Sequence, residues 1–203
     1  MVGDYAFAMS SEAEIRATWR RIEAWLSAHV PTLAETLNPP ATARQIADAE
    51  AIIGAEFPPE LLASLAVHDG QRPDELEVFG EWALLCVAES ARVWRKLARM
   101  ADEGALHTHD EPAWVKVIGA VRPRSWDRAS IPIASDGQGD HLILDLDPPR
   151  GGTRGQVVTY GPRRSSREVV APDFGAWLAQ IAARLENGEI VVAEDGTSLV
   201  PRE

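Results

Sequence analysis

Residues 131–147 read IPIASDGQGDHLILDLD, which sets four carboxylates, Asp136, Asp140, Asp145 and Asp147, around two glycines and His141. Acids and an imidazole at this density could serve as a general acid and base, or as ligands to a divalent ion. The spacing favours something plainer. A calcium loop needs oxygen ligands at alternating positions, a central glycine and a closing glutamate. A phosphate-cradling loop needs a helix directly after its glycines. Here a strand pattern follows instead. Asp136 and Asp140 flank Gly137-Gln138-Gly139, a combination suited to a tight turn, because glycine tolerates positive φ and aspartate accepts main-chain hydrogen bonds. The stretch is therefore predicted to be a turn feeding a strand. A hydrolase using Asp136, Asp140 or His141 is the remote alternative.

Other reactive side chains give weaker patterns. His107 and His109 are spaced to share one face of a strand, as a metal site requires, yet they sit in a polar stretch that reads as a solvated loop. Cys86 is the only cysteine, so neither a disulfide within the chain nor a cysteine-based zinc site can form, and an apolar setting makes it a buried small hydrophobe. Arg150, Arg154, Arg163, Arg164 and Arg167 could pair with phosphate and stack on bases. With few aromatics among them, they are read as exposed hairpin loops. Trp19, Trp94 and Trp177 fall on predicted inward faces, whereas a solvent-facing Trp82, Trp114 or Trp126 would be a binding anchor.

The elements that must position these residues are legible from caps and periodicity. Ser11 to Glu14 and Thr42 to Gln45 are capping boxes. The first opens a helix with Ile15, Trp19, Ile22 and Leu26 on one face, stopped by Pro31. The second opens a helix carrying Ile46, Ala49 and Ile53, which ends at Gly54. Pro58-Pro59 starts a short third helix that runs out at His68-Asp69-Gly70. Trp82 to Val87 reads as a strand, followed by a helix with Val93, Trp94, Leu97 and Met100 inward and its end at Gly104. From residue 113 to about 170, short β-rich pieces separated by Gly, Pro and Asp predict a meander-like sheet. Within it, Leu142, Leu144 and Leu146 alternate with His141, Ile143, Asp145 and Asp147, giving one buried face and one partly polar face. A last helix starts at Pro172-Asp173 with Phe174, Trp177, Leu178, Ile181 and Leu185 inward.

The 203 residues suffice for one domain. No apolar run is long enough to span a bilayer, and the start lacks the pattern of a secretory signal, so the expected compartment is the cytoplasm. The net charge is −11, divided as −9 over residues 1–119, +2 over 120–170 and −4 over 171–203. An acidic N-terminal half repels phosphate backbones, which disfavours nucleic acid, and it attracts a basic protein.

Several segments, in order, resemble the SUKH superfamily: Trp19 to Leu26, Glu50 to Leu62 with Gly54 and Pro58, His68-Asp69-Gly70, Trp82 to Leu85, Ile131 to Asp140, Leu144 to Pro148, and Gly155 to Val158. The founding members of that superfamily are fungal regulators of cell wall synthesis, the Smi and Knr proteins. The resemblance implies an α+β single domain, residues 11–188, with a mixed, mostly antiparallel β-sheet and flanking helices packed on it. Residues 1–10 would be an extension and 189–203 an acidic strand or tail. It transfers no catalytic residue and no cofactor. It implies that Trp19, Glu50, Gly54, Pro58, Asp69, Gly70, Trp82, Pro132, Asp136, Gly137, Gly139, Asp140, Asp145 and Pro148 hold the fold.

The function expected on this basis is non-enzymatic protein binding. Bacterial members of the superfamily are mostly understood as immunity proteins that neutralise a toxin, and that is the first expectation. A regulatory scaffold for endogenous proteins, as in the fungal relatives, is the second. The interface is expected on the acidic loop, where Asp69, Asp74, Glu75, Glu77 and Glu81 put five carboxylates in thirteen residues. Such a surface would steer and block a basic toxin domain.

Overall fold

Both capping boxes form. The Ser11 hydroxyl accepts from the Glu14 amide while the Ser11 amide donates to the Glu14 carboxylate at 2.7 Å, and Thr42 and Gln45 repeat the arrangement. They open α1 (Glu12–His29) and α3 (Ala43–Ile53); between them lies a single turn, α2 (Pro31–Ala34), that starts on the proline ending α1. The structure is a computed structural model and describes residues 10–72, 82–106, 116–124, 126–161, 166–194, 196 and 198–202.

The remaining elements are α4 (Pro59–Leu65), β1 (Ala83–Leu84), α5 (Val87–Asp102), β2 (Lys116–Ile118), β3 (Ser130–Ser135), β4 (His141–Asp145), β5 (Gln156–Tyr160), β6 (Ser166–Ala171), α6 (Phe174–Glu186), β7 (Ile190–Val192) and β8 (Leu199–Pro201). The main sheet has the order β1-β3-β4-β5-β6-β2. β3 to β6 form an antiparallel meander, β1 pairs antiparallel with β3, and only β2 lies parallel, against β6. This is an α+β domain with a mixed, mostly antiparallel sheet and flanking helices. β7 and β8 form a separate hairpin whose Ile190 and Leu199 join the main core, so part of the stretch after residue 188 packs as structure.

The larger core lies between one sheet face and the helices α1, α4 and α6. It contains Trp19, Ile22 and Leu26 of α1, Leu142 and Leu144 of β4, and Leu178 and Ile181 of α6. Asp173 caps α6, its carboxylate accepting from the Ala176 amide at 2.8 Å. A second core fills the other face, where Ile143, Val158 and Tyr160 meet Val93 and Leu97 of α5, together with Val121 and Trp126.

That second core corrects the reading of β4 as half polar. All five of its residues are buried, because α5 and the segment before β3 cover the face that alternation alone would give to solvent. The strand expected over Trp82 to Val87 is also shorter. Only Ala83–Leu84 pairs, and Val87 already begins α5, since Asp69 supplies the helix with a long-range cap.

Arg167 is the third departure. The sequence places it in an exposed loop, but it is 4% exposed, with its guanidinium over the Tyr160 ring and donating to the Arg124 and Gly161 carbonyls. Trp126 and Trp82 are buried and offer no surface anchor. His107, His109, Trp114, Arg163 and Arg164 lie outside the described residues.

Candidate functional site

The β3–β4 turn folds back on itself. One Asp136 carboxylate oxygen accepts from the amides of Gln138 at 2.8 Å and Asp140 at 2.9 Å, and the Asp136 amide donates to the Asp140 carbonyl. Gly137 and Gly139 supply the positive φ values, 70° and 105°, that let three residues close the loop. Asp136 thus has a structural task in closing the turn. Asp136→Ala is expected to cost about 1–2 kcal/mol, the usual loss when a side-chain cap of main-chain amides is deleted. A urea denaturation midpoint measures it, and Asp136→Asn should retain most of the stability.

Two of the neighbouring acids, Asp140 and Asp145, are also built in. Asp140 is buried with its carboxyl against Gly161, where a β-carbon would come within 1.8 Å of it. Asp145 accepts from the Asp147 amide and from the Gln156 side chain, both at 3.0 Å, and Gln156 in turn donates to the Ala120 carbonyl. Burial raises the Asp145 pKa against these hydrogen bonds. Among the described residues, no group of three His, Cys, Asp or Glu side chains is placed to hold a metal ion.

Asp69 is 6% exposed and its carboxylate accepts from the Val87 amide at 2.8 Å, at the start of α5. Burial pushes its pKa up, opposed by that amide. Its charge therefore points into the fold rather than at a partner. Asp74, Glu75, Glu77 and Glu81 lie outside the described residues. The acidic loop leaves and returns at one tied point, since the Gln71 amide donates to the Leu84 carbonyl and the Leu84 amide donates to the Gln71 side chain, each at 3.0 Å.

Other resemblance-implied residues make specific contacts. Glu50 accepts from the Phe57 amide at 2.7 Å, closing the α3–α4 connection beside Gly54, which caps α3 at φ 76°, and Pro58, which precedes α4. Pro132 presents its carbonyl to the Ser90 hydroxyl at 2.6 Å. Pro148 lies under Gly152, where a β-carbon would meet it at 2.6 Å.

These pieces converge on one corner of the molecule. The β3–β4 turn, β1 and the first three turns of α5 enclose an open cleft of about 270 Å³, lined by Arg72, Cys86, Glu89, Arg92, Lys96 and His141 among others. Glu89, Arg92 and Lys96 fall on one face of α5, at a helical repeat of three and four residues, and Glu89 is paired with Arg92. His141 is 7% exposed, stacked 6.3 Å from Tyr160. Burial lowers its pKa, while the Ala134 carbonyl and the charges of Asp136 and Asp140 pull the other way. The Cys86 thiol is held above its ordinary range by burial. In the sequence His141 stands out only as a remote catalytic candidate, and Arg72, Arg92 and Lys96 do not stand out at all. The spacing on α5 was the available signal, but it looks like any solvated helix face until β1 and the turn are placed beside it.

A single folded unit of this topology, with Asp140 and Asp145 buried and a cleft at one corner, defines a small α+β domain. Residues 40–180 match the SMI1 / KNR4 family (SUKH-1), and the chain belongs to that family. It is 28% identical over 217 aligned residues to the cell wall assembly regulator SMI1 of Saccharomyces cerevisiae, covering 90% of this chain and 43% of that protein. It is 30% identical to the cell wall biosynthesis/cell cycle regulator smi1 of Schizosaccharomyces pombe, covering 91% of this chain and 39% of that protein. A glucan synthesis regulatory protein of Neurospora crassa is 25% identical, over 93% of this chain and 42% of its own length. The chain thus spans less than half of each of these relatives. No described helix is long and apolar enough to cross a membrane.

Proposed function

We propose that the chain is a regulatory protein-binding domain that acts in the cytoplasm without catalysis of its own. The observation that carries this reading is the fate of the acids. In the densest reactive cluster of the sequence, Asp136 and Asp145 accept hydrogen bonds from the fold itself, and Asp140 is buried against Gly161. The names of the relatives point the same way, since they are regulators of cell wall or glucan synthesis. They favour the scaffold over the immunity protein that is the first expectation from the resemblance. The net charge of −11 suits a basic partner, approached through Asp74, Glu75, Glu77 and Glu81.

Capture from the host with the tagged chain tests the proposal. Endogenous proteins should be retained, and Asp74→Lys with Glu77→Lys should weaken retention more at low salt than at high salt. If the sole partner were a toxin encoded beside the gene, and coexpression protected cells from it, the immunity reading would replace this one. Turnover of a small substrate that is lost in Asp140→Asn would overturn both.

A further inference from the structure

We propose that the cleft between β1, the β3–β4 turn and α5 is a binding site for one oxyanion, a phosphate or phosphoryl group, held between Lys96 and His141. This deepens the protein-binding reading by giving the chemistry of one contact, though it stands on the geometry of the cleft alone.

Three observations carry it. The chain is strongly acidic, yet this cleft is lined by Arg72, Arg92 and Lys96 with one lining carboxylate, Glu89, while Asp136 and Asp140 stand beside His141 at its edge. That glutamate, Glu89, is paired with Arg92, and among the described residues no carboxylate lies within ion-pair distance of Lys96. Lys96 can therefore take an incoming anion without first giving up a partner. The second observation is His141, whose Nδ1 is buried without a hydrogen-bond partner while the residue lines an open cleft. A buried polar atom in that state is costly unless something fills its place. The third is size and charge. The volume of about 270 Å³ admits a tetrahedral anion together with the chain that carries it. Near neutral pH a phosphoryl group bears about −1.5 to −2, matching two cationic partners better than the single charge of a carboxylate does.

Binding should be linked to protonation of His141. The groups that face this ring are Asp136 and Asp140 of the turn, Lys96 of α5, the Ala134 carbonyl of β3 and Tyr160 of β5, with Glu89, Arg92 and Cys86 farther along the cleft. Tyr160 is neutral in the physiological range because burial pushes its pKa up to about 12. Burial and Lys96 oppose charging of the imidazole. A bound anion offsets both, so occupancy raises the affinity of His141 for its proton, and anion affinity rises as pH falls.

The test uses the full chain with ¹⁵N-labelled histidine, titrated with sulfate, an anion that does not itself titrate near neutrality, and with a short phosphoserine peptide against its serine counterpart. Sulfate should shift the His141 imidazole resonances saturably, with affinity several-fold higher at about pH 6 than at about pH 8. Lys96→Met, on an exposed part of a helix, should weaken binding about tenfold, as the loss of one charged hydrogen bond does. His141→Gln should abolish the pH dependence. A phosphopeptide that binds tighter than sulfate identifies a phosphorylated protein side chain as the source, and equal affinity identifies a free anion. Unmoved His141 resonances with both probes, or unchanged affinity in Lys96→Met, would overturn the site. Either result would leave the protein-binding reading to be decided by host capture.

Discussion

Gly70→Ala is expected to remove about 2–5 kcal/mol of stability, a large part of what a domain of this size possesses. Two effects combine. Gly70 sits at φ 61°, where an alanine costs about 1–2 kcal/mol. A β-carbon there would also lie 2.5 Å from the Leu85 carbonyl carbon and oxygen and 2.6 Å from the Cys86 amide. Those are main-chain atoms just before α5, so relief requires moving β1 or the helix start, which adds about 1–3 kcal/mol. Gly54→Ala is the control. Its φ is 76°, but nothing lies within 4 Å of the added carbon, so only the conformational term should register. Urea midpoints for the two variants measure the difference. Equal losses at both positions would mean that the approach of Gly70 to Leu85 is not a constraint.

Trp19→Ala is expected to cost about 4–6 kcal/mol and to leave little folded protein at physiological temperature. Trp19 is fully buried, edge-on to His68 at 4.8 Å, in the core shared by α1, α4 and α6. Its indole N–H donates to the Ser64 hydroxyl at 2.9 Å. Truncation therefore opens a large cavity and strands a buried hydroxyl on α4. Trp19→Phe separates the two contributions, since it keeps most of the packing and loses the donor, at about 1–2 kcal/mol. If the hydrogen bond matters as argued, Ser64→Ala should cost less in the Trp19→Phe background than in the wild type, a coupling that a double-mutant cycle reads directly.

The contrast between these residues and the corner cleft shows where sequence reasoning reached and where it stopped. Ser11 with Glu14, Thr42 with Gln45, and Asp173 announced their helices correctly, because a cap is a local bargain between residues three apart. β3, β4 and β5 were visible for a similar reason, as short apolar runs between Gly, Pro and Asp. The burial of both faces of β4 was not visible. Asp145 and His141 look like the wet side of a strand until Gln156, Tyr160 and α5 arrive from elsewhere in the chain. Asp69 misled for the same reason. A carboxylate at the head of an acidic run reads as surface charge, whereas its hydrogen-bond partner, the Val87 amide, lies eighteen residues away. The cleft belongs wholly to this long-range class, since no run of neighbouring residues contains both Lys96 and His141.

The paired bonds between Gln71 and Leu84 make the stretch between them a natural place for divergence in length. Because the two ends are already held together, even doubling that excursion adds only about 0.6 kcal/mol of closure entropy. Insertions or grafted epitopes should be accepted there while the surrounding fold keeps its melting behaviour, so descendants of one scaffold can acquire new recognition at little thermodynamic risk.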